Sequence, residues 1–333
     1  MKQYVAIDIT RVIAAILVIA VHTDPLYHYS QDGNYFLVSV LARLAVPFFF
    51  VTSGFFFAQK IRLNHSIKDD LPQVISVVSR LITLYFAWIL IYFPLQMYSW
   101  VKSGESWRYW LVYAQKTLFE GSYYTLWYLS GLIFAMAFSF VLFKLCKPQV
   151  VLGITLILFV CGTIFQSYFD IFGSKDLFSW YYTLFLTTRN GLFFGSFFVS
   201  LGMYIAYSKK KRSQKYNLGC LFLSFVLLTL EAFNVQHLAF TKGNGMWFML
   251  VPTVYFLFMT LLNVNLDNHS SYHILRPLSF LMYVSHGLFL ILFSKLYRID
   301  SLLYFIAILL GTCIFSVVLL FVSKKMPCLK KLY

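Results

Sequence analysis

Ten apolar runs, each bounded by charged or turn-forming residues, divide the chain. They fall at about 5–23, 35–58, 79–98, 122–143, 149–168, 188–207, 216–235, 245–264, 278–297 and 301–322. A helix rises about 1.5 Å per residue, so about 20 residues cross a hydrocarbon core of roughly 30 Å. The pattern predicts an all-α polytopic membrane protein with about ten transmembrane helices. Ten spans with short connections use nearly all of the 333 residues, so one transmembrane domain over 1–333 is expected. The first run resembles a signal peptide in length. However, Asp8 and Arg11 interrupt its start and His22-Thr23-Asp24-Pro25 is not a small-residue cleavage site, which predicts a retained helix.

The basic residues set the orientation. With the N-terminus inside, about 17 Lys and Arg fall in inner segments, among them Lys60, Arg62, Lys68, Arg80, Lys144, Lys147, Arg276, the run Lys209-Lys210-Lys211-Arg212 and the tail lysines; about 5 fall in outer loops. N-in and C-in is therefore expected, in a bacterial cytoplasmic membrane. The stretch Trp107 to Phe119 mixes aromatics with Arg108 and Lys116, which predicts an amphipathic helix at the outer interface.

Composition narrows the class further. The chain is 60% hydrophobic and 12% charged, against about 45–50% and 25% in soluble domains. Its net charge of +15 follows from cationic loops on one membrane face and does not call for a nucleic-acid partner; the expected surroundings are membrane lipids. Five cysteines are scattered without metal-ligand spacing, so neither a disulfide framework nor a metal site is predicted. The chain holds no G-x-S-x-G, H-E-x-x-H, Walker A or dinucleotide fingerprint. His65 and Asp70 stand at the spacing of a glycerolipid acyltransferase pair, but no glycine-rich segment follows, and the match reads as chance.

Ionisable groups at membrane depth cost several kcal/mol unless paired or hydrated, which makes the few present the natural candidates for chemistry. Arg11 and His22 are separated by eleven residues, about 1100° of helix rotation and about 16 Å of rise, so both face one side of the first helix. Asp8 stands one turn from Arg11, within pairing reach. Arg43 precedes Pro47, which frees a backbone carbonyl, and Gly54 in the same run allows close helix packing. Arg189, Glu231 and His286 fall in the sixth, seventh and ninth runs. Arg43, Arg189, Glu231, His22 and His286 share a depth range suited to lining one hydrated cavity. The bland alternatives are a structural Asp8–Arg11 pair, an Arg43–Glu231 packing pair, a snorkelling Arg189 and a His286 hydrogen-bonded to a neighbouring helix.

Several of these residues sit in a wider pattern. Arg11 to His22 as R-x10-H, Val46-Pro47-Phe48-Phe49-Phe50-Val51-Thr52-Ser53-Gly54-Phe55, Arg80, Leu126-Trp127-Tyr128-Leu129 and Tyr283-Val284-Ser285-His286-Gly287 together resemble the acyltransferase family 3 membrane proteins over nearly the whole chain. Within that family, Ile19-Ala20-Val21-His22-Thr23 and Thr188-Arg189-Asn190-Gly191-Leu192-Phe193-Phe194-Gly195 are most similar to the membrane domain of the serine racemases of vancomycin-resistance operons. The chain departs from the family in having Thr125 where a histidine usually stands.

The resemblance implies an integral-membrane O-acetyltransferase that moves an acetyl group from cytoplasmic acetyl-CoA to a hydroxyl of an extracytoplasmic cell-envelope glycan or its precursor. It implies His22 as general base or acyl carrier with Arg11 beside the reaction, Arg80 and Arg11 on the acetyl-CoA phosphates, and Arg43, Trp127, Arg189, Glu231 and His286 around the acceptor. The racemase likeness implies a competing function, L-serine uptake, with an arginine on the carboxylate and Glu231 on the amine. A membrane scaffold, with the charged pairs serving only packing, is the third reading.

Overall fold

A computed structural model of the protein describes residues 4–61, 66–104, 125–169, 187–208, 212–238, 245–267 and 269–333. Trp107 to Phe119, Lys209 to Lys211 and His65 lie outside these residues. Among the described residues every regular element is a helix. Each apolar run has its helix: α1 (Val5–Thr23), α2 (Gln31–Ala58), α3 (Ile67–Ser103), α4 (Trp127–Leu145), α5 (Pro148–Ser167), α6 (Gly191–Ser208), α7 (Gln214–Leu238), α8 (Leu250–Leu262), α9 (Leu275–Leu292) and α10 (Ser301–Lys325).

Nine of these are long and apolar enough to cross a bilayer; α8, with 13 residues, is not. At about 1.5 Å per residue it covers roughly 20 Å, so the chain before it must carry part of the depth in a non-helical form. Non-helical backbone is tolerated there only when protein groups satisfy it. Glu231 supplies that service, its carboxylate accepting the amides of Phe248 at 2.7 Å and Met249 at 2.8 Å. The indole of Trp247 donates to the Ser39 carbonyl at 2.8 Å, and the Met246 amide donates to Ser167 Oγ at 3.2 Å.

Helices α2 and α6 are the most enclosed, with 61% and 67% of their apolar windows buried, whereas α7 and α10 are 22% buried and form the periphery. Small residues explain the enclosed pair. A Cβ on Gly54 would lie 2.1 Å from the Val199 carbonyl oxygen, and one on Gly202 would lie 2.0 Å from that of Val51. The two backbones therefore touch directly, as small residues permit in membranes. Around the crossing, Phe50, Phe194 and Phe198 are fully enclosed; an edge contact links Phe50 to Phe194 and a tilted one links Phe194 to Phe198.

α3 begins about twelve residues before its apolar run. A capping box at Ser66 and Asp69 starts it, and Asp70 in its first turn makes a buried ion pair of 2.6 Å with Lys144 of α4. That contact gives Asp70 a packing role. Asp8 of α1 pairs with Arg276 of α9 at 2.7 Å, so α1 is tied across the bundle and Asp8 is not the ion-pair partner of Arg11.

Candidate functional site

Two cavities lie at opposite ends of α1. The smaller, of about 50 Å³, is lined by His22, Arg43, Trp127, Arg189, Thr125, Tyr283 and Gly245. The larger, of about 490 Å³, is lined by Arg11, Lys60, Arg80, Arg276, Tyr128 and Tyr333, with apolar Leu81, Leu84 and Phe280. An adjoining hollow of about 430 Å³ shares Arg80, Leu84 and Tyr333 and adds Lys330 and Lys331. Of the residues singled out from sequence, His22, Arg43, Trp127 and Arg189 meet in one cavity, and Arg11 and Arg80 in the other. Glu231 and His286 line neither.

Local irregularities aim the side chains of the His22 cavity. α2 opens as an α-turn, Gln31–Tyr35, passes through a π-helical stretch, Phe36–Leu41, and a 3₁₀ turn, Ala42–Leu44, and then continues as an α-helix from Ala45. Pro47 has no amide for the Arg43 carbonyl four residues earlier, so the ladder breaks where Arg43 leaves the helix. Arg189 stands in a turn that α5 pins: Gln166 Oε1 accepts from Thr187 Oγ1 at 2.9 Å and the Thr188 amide at 3.0 Å, and Thr188 Oγ1 donates to the Gly162 carbonyl at 2.7 Å. Asn190 then caps α6 by accepting the amides of Leu192 and Phe193. The Arg189 guanidinium lies over the Trp127 ring, 5.2 Å from its centroid.

His22 stacks against His286, with ring centroids 5.2 Å apart and planes at 29°. His286 is fully buried. Its Nδ1 contacts the Tyr283 carbonyl at 2.5 Å, which makes Nδ1 the donor and leaves a lone pair on Nε2. His286 thus supports the His22 ring from behind the cavity wall. Glu231 accepts from the Tyr168 hydroxyl at 2.5 Å as well as from the two amides before α8. Removing that carboxylate strands buried donors at about 1–3 kcal/mol each. Glu231→Ala is therefore expected to lower the apparent melting temperature of detergent-purified protein by several degrees; an unchanged melt would contradict this capping role.

A partition of aromatic rings separates the cavities. Tyr128 faces the Arg11 side and Tyr283 the His22 side, their centroids 5.3 Å apart at 83°, and Phe49 packs on both. Tyr283 donates to the Thr125 carbonyl at 2.6 Å, and the Tyr128 hydroxyl lies 3.1 Å from Ser53 Oγ. Sequence reading did not assign the tyrosine partition, Lys60, Arg276 or Gly245 to the site. The two tyrosines stand within the Leu126–Leu129 and Tyr283–Gly287 segments and were the most accessible signal. Thr125, at the position where a histidine is usual, stands on the wall of the His22 cavity, its Oγ1 buried without a partner among the described residues.

The chemical contrast between the compartments is plain. The larger one combines several cations with an apolar wall and suits a polyanion that carries a hydrophobic arm. The smaller one combines an imidazole with two guanidiniums and has room for only a few heavy atoms.

A family model described as an acyltransferase domain, Acyl_transf_3, matches residues 4–321. An amino-acid racemase of Enterococcus faecalis is 32% identical over 271 residues, covering 79% of this chain and 36% of that protein. A second amino-acid racemase of the same species is 26% identical over 337 aligned positions, covering 98% of this chain and 47% of that protein. A serine/alanine racemase of Enterococcus gallinarum is 27% identical over 259 residues, covering 77% and 37%. The chain thus spans less than half the length of these curated relatives. No solved structure matches it significantly.

Proposed function

Because the chain belongs to the acyltransferase family 3 domain family, whose model spans residues 4–321, we propose that this multi-pass membrane acyltransferase takes acetyl from cytoplasmic acetyl-CoA and passes it to a hydroxyl of an extracytoplasmic cell-envelope glycan or its precursor. On this reading residues 1–333 form one such domain, in a bacterial cytoplasmic membrane with both ends inside. The observation that supports it is the pair of chemically distinct cavities at the two ends of α1, one centred on Arg11 and the other on His22.

The donor's phosphates would lie among Arg80, Lys60, Arg276 and the tail lysines, with Arg11 deepest along the path toward the partition. Arg11 suits that place because its Nε is buried with no partner among the described residues. The apolar wall would take the pantetheine arm. At the far end a ring nitrogen of His22 would accept the acceptor's hydroxyl proton as its oxygen bonds to the acetyl carbonyl carbon. The carbon–sulfur bond then breaks, and the departing thiolate recovers a proton, leaving CoA and an acetyl ester. For the acetyl group to pass from one cavity to the other, Tyr128 and Tyr283 must part.

A ligand that binds only the native state raises its apparent stability by mass action, so acetyl-CoA titrated against the detergent-purified protein is expected to raise the melting temperature. Arg11→Gln removes a charge-assisted contact of about 1.5–3 kcal/mol and should weaken that response about 10- to 100-fold. Arg80→Gln should weaken it less, since Arg80 is exposed and its guanidinium already donates to the Tyr333 carbonyl at 3.2 Å. No stabilisation by acetyl-CoA, or the same response in Arg11→Gln, would count against the donor site.

The racemase names of the relatives and the two guanidiniums of the His22 cavity favour one second reading, an L-serine uptake domain. Protein-dependent accumulation of labelled serine in proteoliposomes, with no response to acetyl-CoA, would put it first.

A further inference from the structure

The most unusual feature of the His22 cavity is two converging cations with no acidic residue among the described residues of its wall. A Cβ placed on Gly245 would lie 2.9 Å from Arg43 Nη1 and 3.2 Å from Arg189 Nη1, so both guanidiniums flank a single point. Gly245 has φ of +145°, a conformation that side chains disfavour, and the backbone is thereby cleared from between the two groups. Among the described residues neither arginine has an ion-pair partner. No described carboxylate lines this cavity: Asp24 lies off its wall, accepting from Asn34 Nδ2 at 3.0 Å, and Glu231 is held by Tyr168, Phe248 and Met249. Trp127 supports one face of Arg189 and leaves the edge of its fork free. Two like charges facing each other at membrane depth are retained where something else supplies the negative charge.

Resting on the acyl-transfer reading, we propose that the acceptor is a hydroxy carboxylate, and that Arg43 and Arg189 hold its carboxylate while His22 acts on its hydroxyl. A planar carboxylate suits two convergent forks and a cavity of about 50 Å³; a phosphate ester finds its match in the larger compartment. Because His22 and both arginines line this one small space, the hydroxyl and the carboxylate must lie only a few bonds apart, as in a uronic acid or a hydroxy amino acid.

The test uses the whole purified chain and matched probes: D-glucuronate against D-glucose and glucose 6-phosphate, and L-serine against L-serinamide. Thermal shift reads binding, and CoA release from acetyl-CoA reads transfer. At least one carboxylate of the two sets should stabilise the protein while its neutral analogue and the phosphate do not. Arg43→Gln and Arg189→Gln should each weaken that binding at least tenfold, with partial recovery in Arg189→Lys. Without ligand, the Gln variants should melt no lower than wild type, because a repelling charge has been removed; a purely structural pair of arginines would melt lower. Stabilisation by neither carboxylate, equal binding of neutral analogues, binding of the phosphate alone, or unchanged affinity in both Gln variants would overturn the proposal. Arginine-dependent carboxylate binding without CoA release would sustain this site and sink the transfer reading. Transfer to neutral hydroxyls, undiminished in both Gln variants, would do the reverse.

Discussion

His22→Ala is expected to lower acyl transfer by about 10²- to 10⁴-fold, the usual contribution of a positioned acid–base group, while leaving the acetyl-CoA-induced rise in melting temperature unchanged. The separation follows from geometry. His22 lines the smaller cavity and Arg11 the larger, and Tyr128 and Tyr283 stand between them. A substitution at His22 therefore removes the proposed proton acceptor without touching the cationic lining where the donor would be held. The same change deprives His286 of its stacking partner, so His286→Gln is the companion variant. It keeps a polar side chain behind His22 and should slow transfer far less than His22→Ala. Turnover retained in a well-folded His22→Ala protein would refute the role given to that residue.

The second large effect concerns folding. Gly54→Ala puts a methyl 2.1 Å from the Val199 carbonyl oxygen, and Gly202→Ala puts one 2.0 Å from that of Val51. The obstructing atoms are backbone, so no rotamer change relieves the overlap and the two most enclosed helices must move apart. Overpacking that side chains partly absorb costs about 1–3 kcal/mol, and a forced helix displacement should cost more. Either variant is expected to give little monodisperse protein on size exclusion. Gly153→Ala and Gly219→Ala meet nothing within 4 Å, and should melt at or slightly above the wild-type temperature, since Ala favours a helix by about 1 kcal/mol over Gly. A Gly54→Ala protein as stable as these controls would contradict the direct backbone contact.

Hydropathy found each of α1 to α10 among the described residues because it reports which segments leave water, and that property is local to the sequence. It drew α8 too long for the same reason. Trp247, Phe248 and Met249 are as apolar as helical neighbours, and the turn that precedes α8 becomes visible only once Glu231 is seen to hold two of their amides. It drew α3 too short, because the first turns, from Ile67, lie before the apolar run and are secured by a capping box and the Lys144 pair. The facing of Arg11 and His22 toward one side of α1 was legible from helical rotation alone. The true ion-pair partner of Asp8 was not, since Arg276 lies on another helix and spacing along one helix describes only what is within reach. Arg43 and Arg189 were identified as intramembrane cations, but their convergence over Gly245 depends on a π stretch, a 3₁₀ turn and a pinned loop. None of these leaves a periodic mark.

On the proposed function, the two cavities serve one reaction across the tyrosine partition. The most direct measurement places labelled acetyl-CoA outside sealed proteoliposomes whose lumen holds a panel of neutral and acidic hydroxyl compounds, and follows acetyl ester in the lumen. Wild-type protein is predicted to form labelled ester inside while CoA is released outside, with formation lost in His22→Ala and slowed by weaker donor binding in Arg11→Gln. Ester formed only when donor and acceptor share one compartment, or formed equally by the His22→Ala protein, would show that the two cavities do not serve one reaction.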